Sequence, residues 1–114
     1  MLFDKTSLTV TAGSPVTLVF KNDDDMAHNV VVVKPGSSEK VGKAAEAMAS
    51  EKDGYEKHFV PKIPEVLFAT PLVNGGKSFR LEFTAPKVAG DYPFICSFPG
   101  HWQMMKGVLK VVKN

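Results

Sequence analysis

The chain is poor in the features that would take it out of the ordinary globular class. It has one cysteine in 114 residues, so no disulfide can form within it and cysteine usage does not mark an oxidising compartment. No stretch approaches the roughly 18 consecutive apolar residues of a membrane span. The run Val30-Val31-Val32-Val33 has the length of a buried strand instead. The basic, then apolar, then small-residue succession of a signal peptide is missing, and Met1 directly precedes a strand-like segment. A mature form or an excised domain with an added start methionine is therefore expected. The formal charge of +2 gives no electrostatic case for nucleic acid. There is no internal repeat and no low-complexity tract.

What is present suits a single domain over residues 1–114, with 44% hydrophobic residues to fill one core. Leu8 and Val10 alternate with Ser7, Thr9 and Thr11. Val16, Leu18 and Phe20 alternate with Thr17 and Lys21, and Phe79, Leu81 and Phe83 with Arg80 and Glu82. Val30 to Val33 is β-branched throughout and predicts a strand covered on both faces. Further strands are expected near Val66-Leu67-Phe68, over Tyr92 to Cys96 and over Val108 to Val112. Val41, Ala44, Ala45 and Met48 share one helical face, predicting one short helix at about residues 38–50, capped by Ser37 or Ser38. Short strands with one helical insertion point to an all-β, two-sheet sandwich.

The chemistry is concentrated in Cys96-Ser97-Phe98-Pro99-Gly100-His101-Trp102-Gln103-Met104-Met105. A thiolate, an imidazole and a thioether lie within ten residues, and His28 stands far upstream at the start of the valine strand. Two imidazoles, one thiolate and a long thioether contact form the ligand set of a blue-copper electron-transfer centre, which suits both Cu(I) and Cu(II). Met105, four residues beyond His101, lets the loop return under a metal, and Met104 is its competitor. Asn29 and Ser97 are placed to hydrogen-bond across the Cys96 loop and tune the site. Phe98, Pro99 and Trp102 would form an apolar rim around His101.

Each residue has an ordinary reading as well. A lone cysteine is more often a small buried hydrophobe, and aromatic residues are more often core. The joint occurrence of Cys-x4-His-x3-Met, an upstream His-Asn and a sandwich pattern tips the balance towards a metal. His58, among Glu56, Lys57 and Phe59, reads as a solvated loop residue. Two other functions stay open. Cys96 could be a nucleophile with His28 or His101 as its base, and the ligands could store or deliver copper without redox cycling. Zinc could also occupy the same donors.

At these residues the sequence resembles the azurin-type cupredoxins, the small blue copper proteins. The match includes His28-Asn29, the helical insertion with Val41-Gly42 and Met48-Ala49-Ser50, the Cys96 to His101 loop, and Met105-Lys106-Gly107. It covers most of the chain from about Phe20 onward. The resemblance implies a Greek-key β-sandwich with one type 1 copper, held equatorially by His28, Cys96 and His101 and axially by Met105 in preference to Met104. It also implies a non-enzymatic, periplasmic or otherwise extracytoplasmic protein that shuttles single electrons through an exposed His101 edge. Three departures stand out. Ala27 replaces the glycine whose carbonyl usually makes a second axial contact. The N-terminal disulfide of azurins cannot form. Trp102 stands where a smaller residue is usual. They point towards an auracyanin-like relative, or an azurin-like domain of a larger respiratory protein.

The expected function is thus one-electron transfer between redox proteins such as a c-type cytochrome or a respiratory enzyme. Such a partner would dock transiently on an apolar patch of Phe98, Pro99, Trp102 and Met26, flanked by Asp23, Asp24 and Asp25. The protein is expected to be a monomer.

Overall fold

Four successive valines cannot alternate between a wet and a dry face, and the layering shows why they need not. A computed structural model describes residues 2–114. Its elements are β1 (Ser7–Thr11), β2 (Pro15–Lys21), β3 (Val31–Val33), α1 (Ser38–Ala47) with a 3-10 turn at Met48–Ser50, β4 (Val66–Ala69), β5 (Ser78–Thr84), β6 (Gly90–Ile95) and β7 (Lys106–Val112). Five strands form one sheet in the order β1-β7-β6-β3-β4, and β2 pairs with β5 in a second sheet. The chain crosses between the sheets from β1 to β2, β2 to β3, β4 to β5 and β5 to β6, the wrapping expected of a Greek-key sandwich.

The two faces of the larger sheet are buried against different things. Val30, Val32, Tyr92, Phe94, Leu109 and Val111 face the small sheet, where Leu18, Phe20 and Phe83 meet them. Val31, Val33 and Ile95 face the other way, against Val41 of α1 and against Val60, Ile63 and Trp102. The strands β2 and β5 are covered on one side only, so both alternate half-buried with exposed residues along their full length. Among the described residues, no helix is long and apolar enough to cross a membrane.

Four sequence expectations are adjusted. Val30 is buried but precedes β3, and Cys96 lies one residue beyond β6. The strand β7 starts two residues earlier than its apolar run, because Lys106 and Gly107 pair with Ile95 and Phe94. Ser37 occupies the N-cap of α1, yet neither serine caps it: no side-chain cap hydrogen bond forms.

The helix meets the loop between β6 and β7 through a close approach at Gly42. A Cβ on Gly42 would lie 2.2 Å from a ring carbon of Trp102. Replacing glycine by alanine inside a helix ordinarily gains up to about 1 kcal/mol. Here the collision is with a rigid indole, and overpacking of that kind costs about 1–3 kcal/mol. Gly42→Ala is therefore expected to lower stability in chemical denaturation and to change the fluorescence of Trp102, the chain's single tryptophan. A gain in stability would mean that the indole gives way freely.

Candidate metal centre

The loop between β6 and β7 is closed at its base by the backbone. The Cys96 N–H donates to the Met105 carbonyl at 3.0 Å, adding one rung to the β6–β7 ladder. Inside the loop, the His101 N–H donates to Phe98 O at 3.0 Å, and the Met105 N–H donates to His101 O at 2.8 Å. Gly100 supplies the left-handed turn with φ +88°. His28 arrives from the opposite direction. It is held by a reciprocal backbone pair with Val73, at 3.1 and 2.7 Å.

These constraints bring His28, Cys96 and His101 together, all three buried, with their ligand atoms within 4.8 Å of one another. Cys96 Sγ stands 3.8 Å from His28 Nδ1 and 3.7 Å from His101 Nδ1. The donor set fits a metal on distance as well as chemistry. Metal–ligand bonds of about 2.0–2.3 Å, spread at about 120°, place sulfur and nitrogen about 3.7 Å apart. A thiolate with two imidazoles is the equatorial set of a type 1 copper site.

The electrostatics favour a cation. Burial pushes the Cys96 thiol above its ordinary range, with partial relief from the backbone N–H groups of Asn29 and Phe98. Burial, with His28 nearby, pushes the His101 imidazolium below its ordinary range, which favours the neutral ring that a metal needs. Asp24 is held below the usual carboxylate range, chiefly by its hydrogen bond to His28. A buried thiol releases its proton readily only when a metal takes its place.

Asn29 and Ser97 lock the two halves of the site together. The Ser97 N–H donates to Asn29 Oδ1 at 2.8 Å, and Asn29 Nδ2 donates to Ser97 Oγ at 2.9 Å. Ser97 Oγ donates to Phe59 O at 2.7 Å, and Asn29 Nδ2 also reaches His58 O at 3.0 Å. Sequence reasoning missed the part played by residues 58 and 59. His58 is exposed and stands apart from the ligand triangle, but it is more than a solvated loop residue: its ring Nδ1 accepts the Leu72 N–H at 3.1 Å. His58 and Phe59 both adopt left-handed backbone, with φ of 58° and 53°. Such non-glycine strain persists only where the surroundings over-determine it. Here it aims two successive carbonyls at the side chains that brace the ligand loop, and no residue-type pattern announces it.

The remaining candidates divide by burial. Met105 is 3% exposed and Met104 is 57% exposed. Phe98 stacks on His101 with ring centroids 4.8 Å apart. Pro99 is half-buried beside it. Trp102 turns away from an open rim: it packs on Gly42, and its indole N–H donates to Glu46. The exposed imidazole edge also needs correction. His101 keeps only 4% of its surface, because Phe98 lies across the ring. Of the acidic flank, Asp24 turns inward to His28 Nε2 at 2.8 Å. The Asn22-Asp23-Asp24 turn chemistry could have suggested this inward contact.

Comparison with known proteins agrees with this geometry. The family model for copper binding proteins of the plastocyanin/azurin family matches residues 1–112. Auracyanin-A of Chloroflexus aurantiacus is 39% identical over 113 residues, covering 97% of this chain and 67% of that protein. Azurin-1 of Alcaligenes xylosoxydans xylosoxydans is 33% identical over 120 residues, covering 98% of this chain and 90% of its own length. The solved structure of auracyanin A, described as a "blue" copper protein of the same Chloroflexus species, superposes with a TM-score of 0.86 at 40% identity. That superposition covers 97% of this chain and 89% of the solved one.

Two outcomes follow from the site's construction. Asn29→Ala leaves the buried Ser97 N–H without its acceptor, a loss of about 1–3 kcal/mol for each buried group stranded; equilibrium unfolding of the metal-free protein measures it. Because the Cys96 proton must leave, Cu(II) affinity is expected to rise about tenfold per pH unit around neutrality, with one proton released per ion. Calorimetry in buffers of different ionisation enthalpy counts that proton, and a count of zero would mean the thiol is already ionised.

Proposed function

The chain belongs to the plastocyanin/azurin family of copper-binding proteins, and from that premise we propose that it is a one-electron carrier built around a single type 1 copper. His28, Cys96 and His101 would hold the ion, with Met105 as a weaker fourth ligand. Bound there, copper supplies one electron of redox capacity, alternating between Cu(I) and Cu(II). The observation that carries this reading is the buried His-Cys-His triangle, whose sulfur–nitrogen spacings of 3.7 and 3.8 Å match a trigonal metal.

The protein's own work is to keep that triangle from relaxing. His28 is tied to Val73, Cys96 to Met105, and the Asn29–Ser97 pair bolts one half to the other. Ligands that cannot rearrange serve both oxidation states equally well, which suits fast exchange of one electron. Burial supports the assignment of Met105 over Met104. It also disfavours a cysteine nucleophile, because Cys96 is fully buried and its thiol is pushed towards the protonated form. One cysteine with two histidines is a poor match for copper storage, which generally uses several soft ligands.

Electrons reach the site by way of His101 and the Phe98 ring stacked on it, with Phe98 and Pro99 forming the small apolar face on which a partner docks. Weak electron-transfer encounters use small interfaces of this kind. A c-type cytochrome or a respiratory enzyme is the class of partner that fits, acting on a monomeric, single-domain carrier in an extracytoplasmic space.

The copper-loaded visible spectrum tests the reading. An intense blue band is expected in the native protein and its loss in Cys96→Ser, with reversible one-electron voltammetry. A colourless copper-loaded protein with a reactive thiol would overturn it. Met105→Leu is expected to shift the spectrum and the potential while Met104→Leu leaves both in place; the reverse pattern would transfer the axial role to Met104.

A further inference from the structure

We infer that Asp24 is a positioning residue of the metal centre: its carboxylate fixes the His28 imidazole in the tautomer that turns the Nδ1 lone pair towards Cys96. This rests on the assignment of His28 as a copper ligand. The two ring nitrogens face different groups. Nε2 lies 2.8 Å from Asp24 Oδ2, and Nδ1 lies 3.8 Å from Cys96 Sγ. A carboxylate only accepts hydrogen bonds, so at this contact Nε2 carries a ring proton, and the one-proton ring that can ligate a metal then has its lone pair on Nδ1. Nδ1 is left unprotonated on the side where the metal binds. An outer partner that sets tautomer and ring orientation in this way tunes both ligand basicity and metal affinity.

Asp24 is itself held firmly. Its N–H donates to Asn22 Oδ1 at 2.9 Å, and its Oδ1 accepts the Asp25 N–H at 2.8 Å. Asn22 is buried, and its Nδ2 donates to the carbonyls of Met26 and Val73, both at 2.7 Å. Val73 is the backbone partner of His28, so the network closes on the ligand it positions. The turn also lies tight against Gly75, where an added Cβ would come within 2.4 Å of the Asp24 carbonyl. The contact adds a formal negative charge one imidazole away from the ion. That charge favours Cu(II) over Cu(I) and holds the potential down.

The test compares the native protein with Asp24→Ala and Asp24→Asn. In the copper-free native chain, ¹⁵N NMR is expected to show His28 as the Nε2–H tautomer. Asp24→Ala is expected to give mixed tautomers, to lose about 10–100-fold in copper affinity, and to raise the potential. Asp24→Asn keeps a side-chain oxygen acceptor, so it is expected to retain the tautomer while the potential still rises. An unchanged tautomer and unchanged affinity in Asp24→Ala would overturn the inference, even if thermal stability fell. An unchanged potential in both variants would overturn the role of the charge. A native protein without the blue band would overturn the carrier reading while leaving the tautomer measurement intact, so the two failures are distinguishable.

Discussion

The crowding of a thiol and two imidazoles in a space closed to water is the constraint around which this protein is organised. Polar groups taken out of water need partners, and these three have little to offer one another at 3.7–3.8 Å. The fold tolerates the arrangement because each donor is held by backbone it cannot escape. His28 is bridged to Val73, Cys96 extends the β6–β7 ladder, and His101 sits in a turn whose carbonyl is spent on Met105. The metal centre is therefore specified mostly by main-chain hydrogen bonds. The side chains choose the ion; the ladders and turns choose where the side chains stand.

Much of this was legible in the sequence, for reasons that can be read residue by residue. Alternation marked β2 and β5 because each buries a single face, and the unbroken valines marked β3 because both of its faces are covered. The ligands were legible because copper chemistry restricts residue type and the Cys96 loop restricts spacing. What escaped was geometry that residue type does not encode. The carbonyls of His58 and Phe59 brace the site through left-handed backbone, and a carbonyl is common to every residue. The covering of His101 by Phe98 and the turning of Trp102 onto Gly42 were likewise settled by packing. An aromatic side chain announces that it will bury area, and leaves the direction open.

The helix illustrates how a distant element reaches the site. Ser37 gives it no side-chain cap, so its place depends on what it covers: Val41 and Ala45 are fully buried, and Gly42 admits the Trp102 ring. Trp102 follows His101 directly in the chain. A displacement of α1 would therefore act on the ligand loop through the indole, and the Glu46 contact to the same ring makes a second connection. The sheet's outer layer and the metal centre are in this sense one mechanical unit.

The backbone bond from Cys96 to Met105 has a consequence for how such proteins diversify. It closes the ligand loop at its base, so the β6–β7 register is set outside the loop, and within it Ser97 and Trp102 are the residues tied to the sandwich below. Changes between those two residues that spare the Ser97 and Trp102 contacts alter what the metal meets and leave the strands in register. The surroundings of the metal site can thus vary while the strand pairing beneath it is kept, much as a socket accepts different fittings.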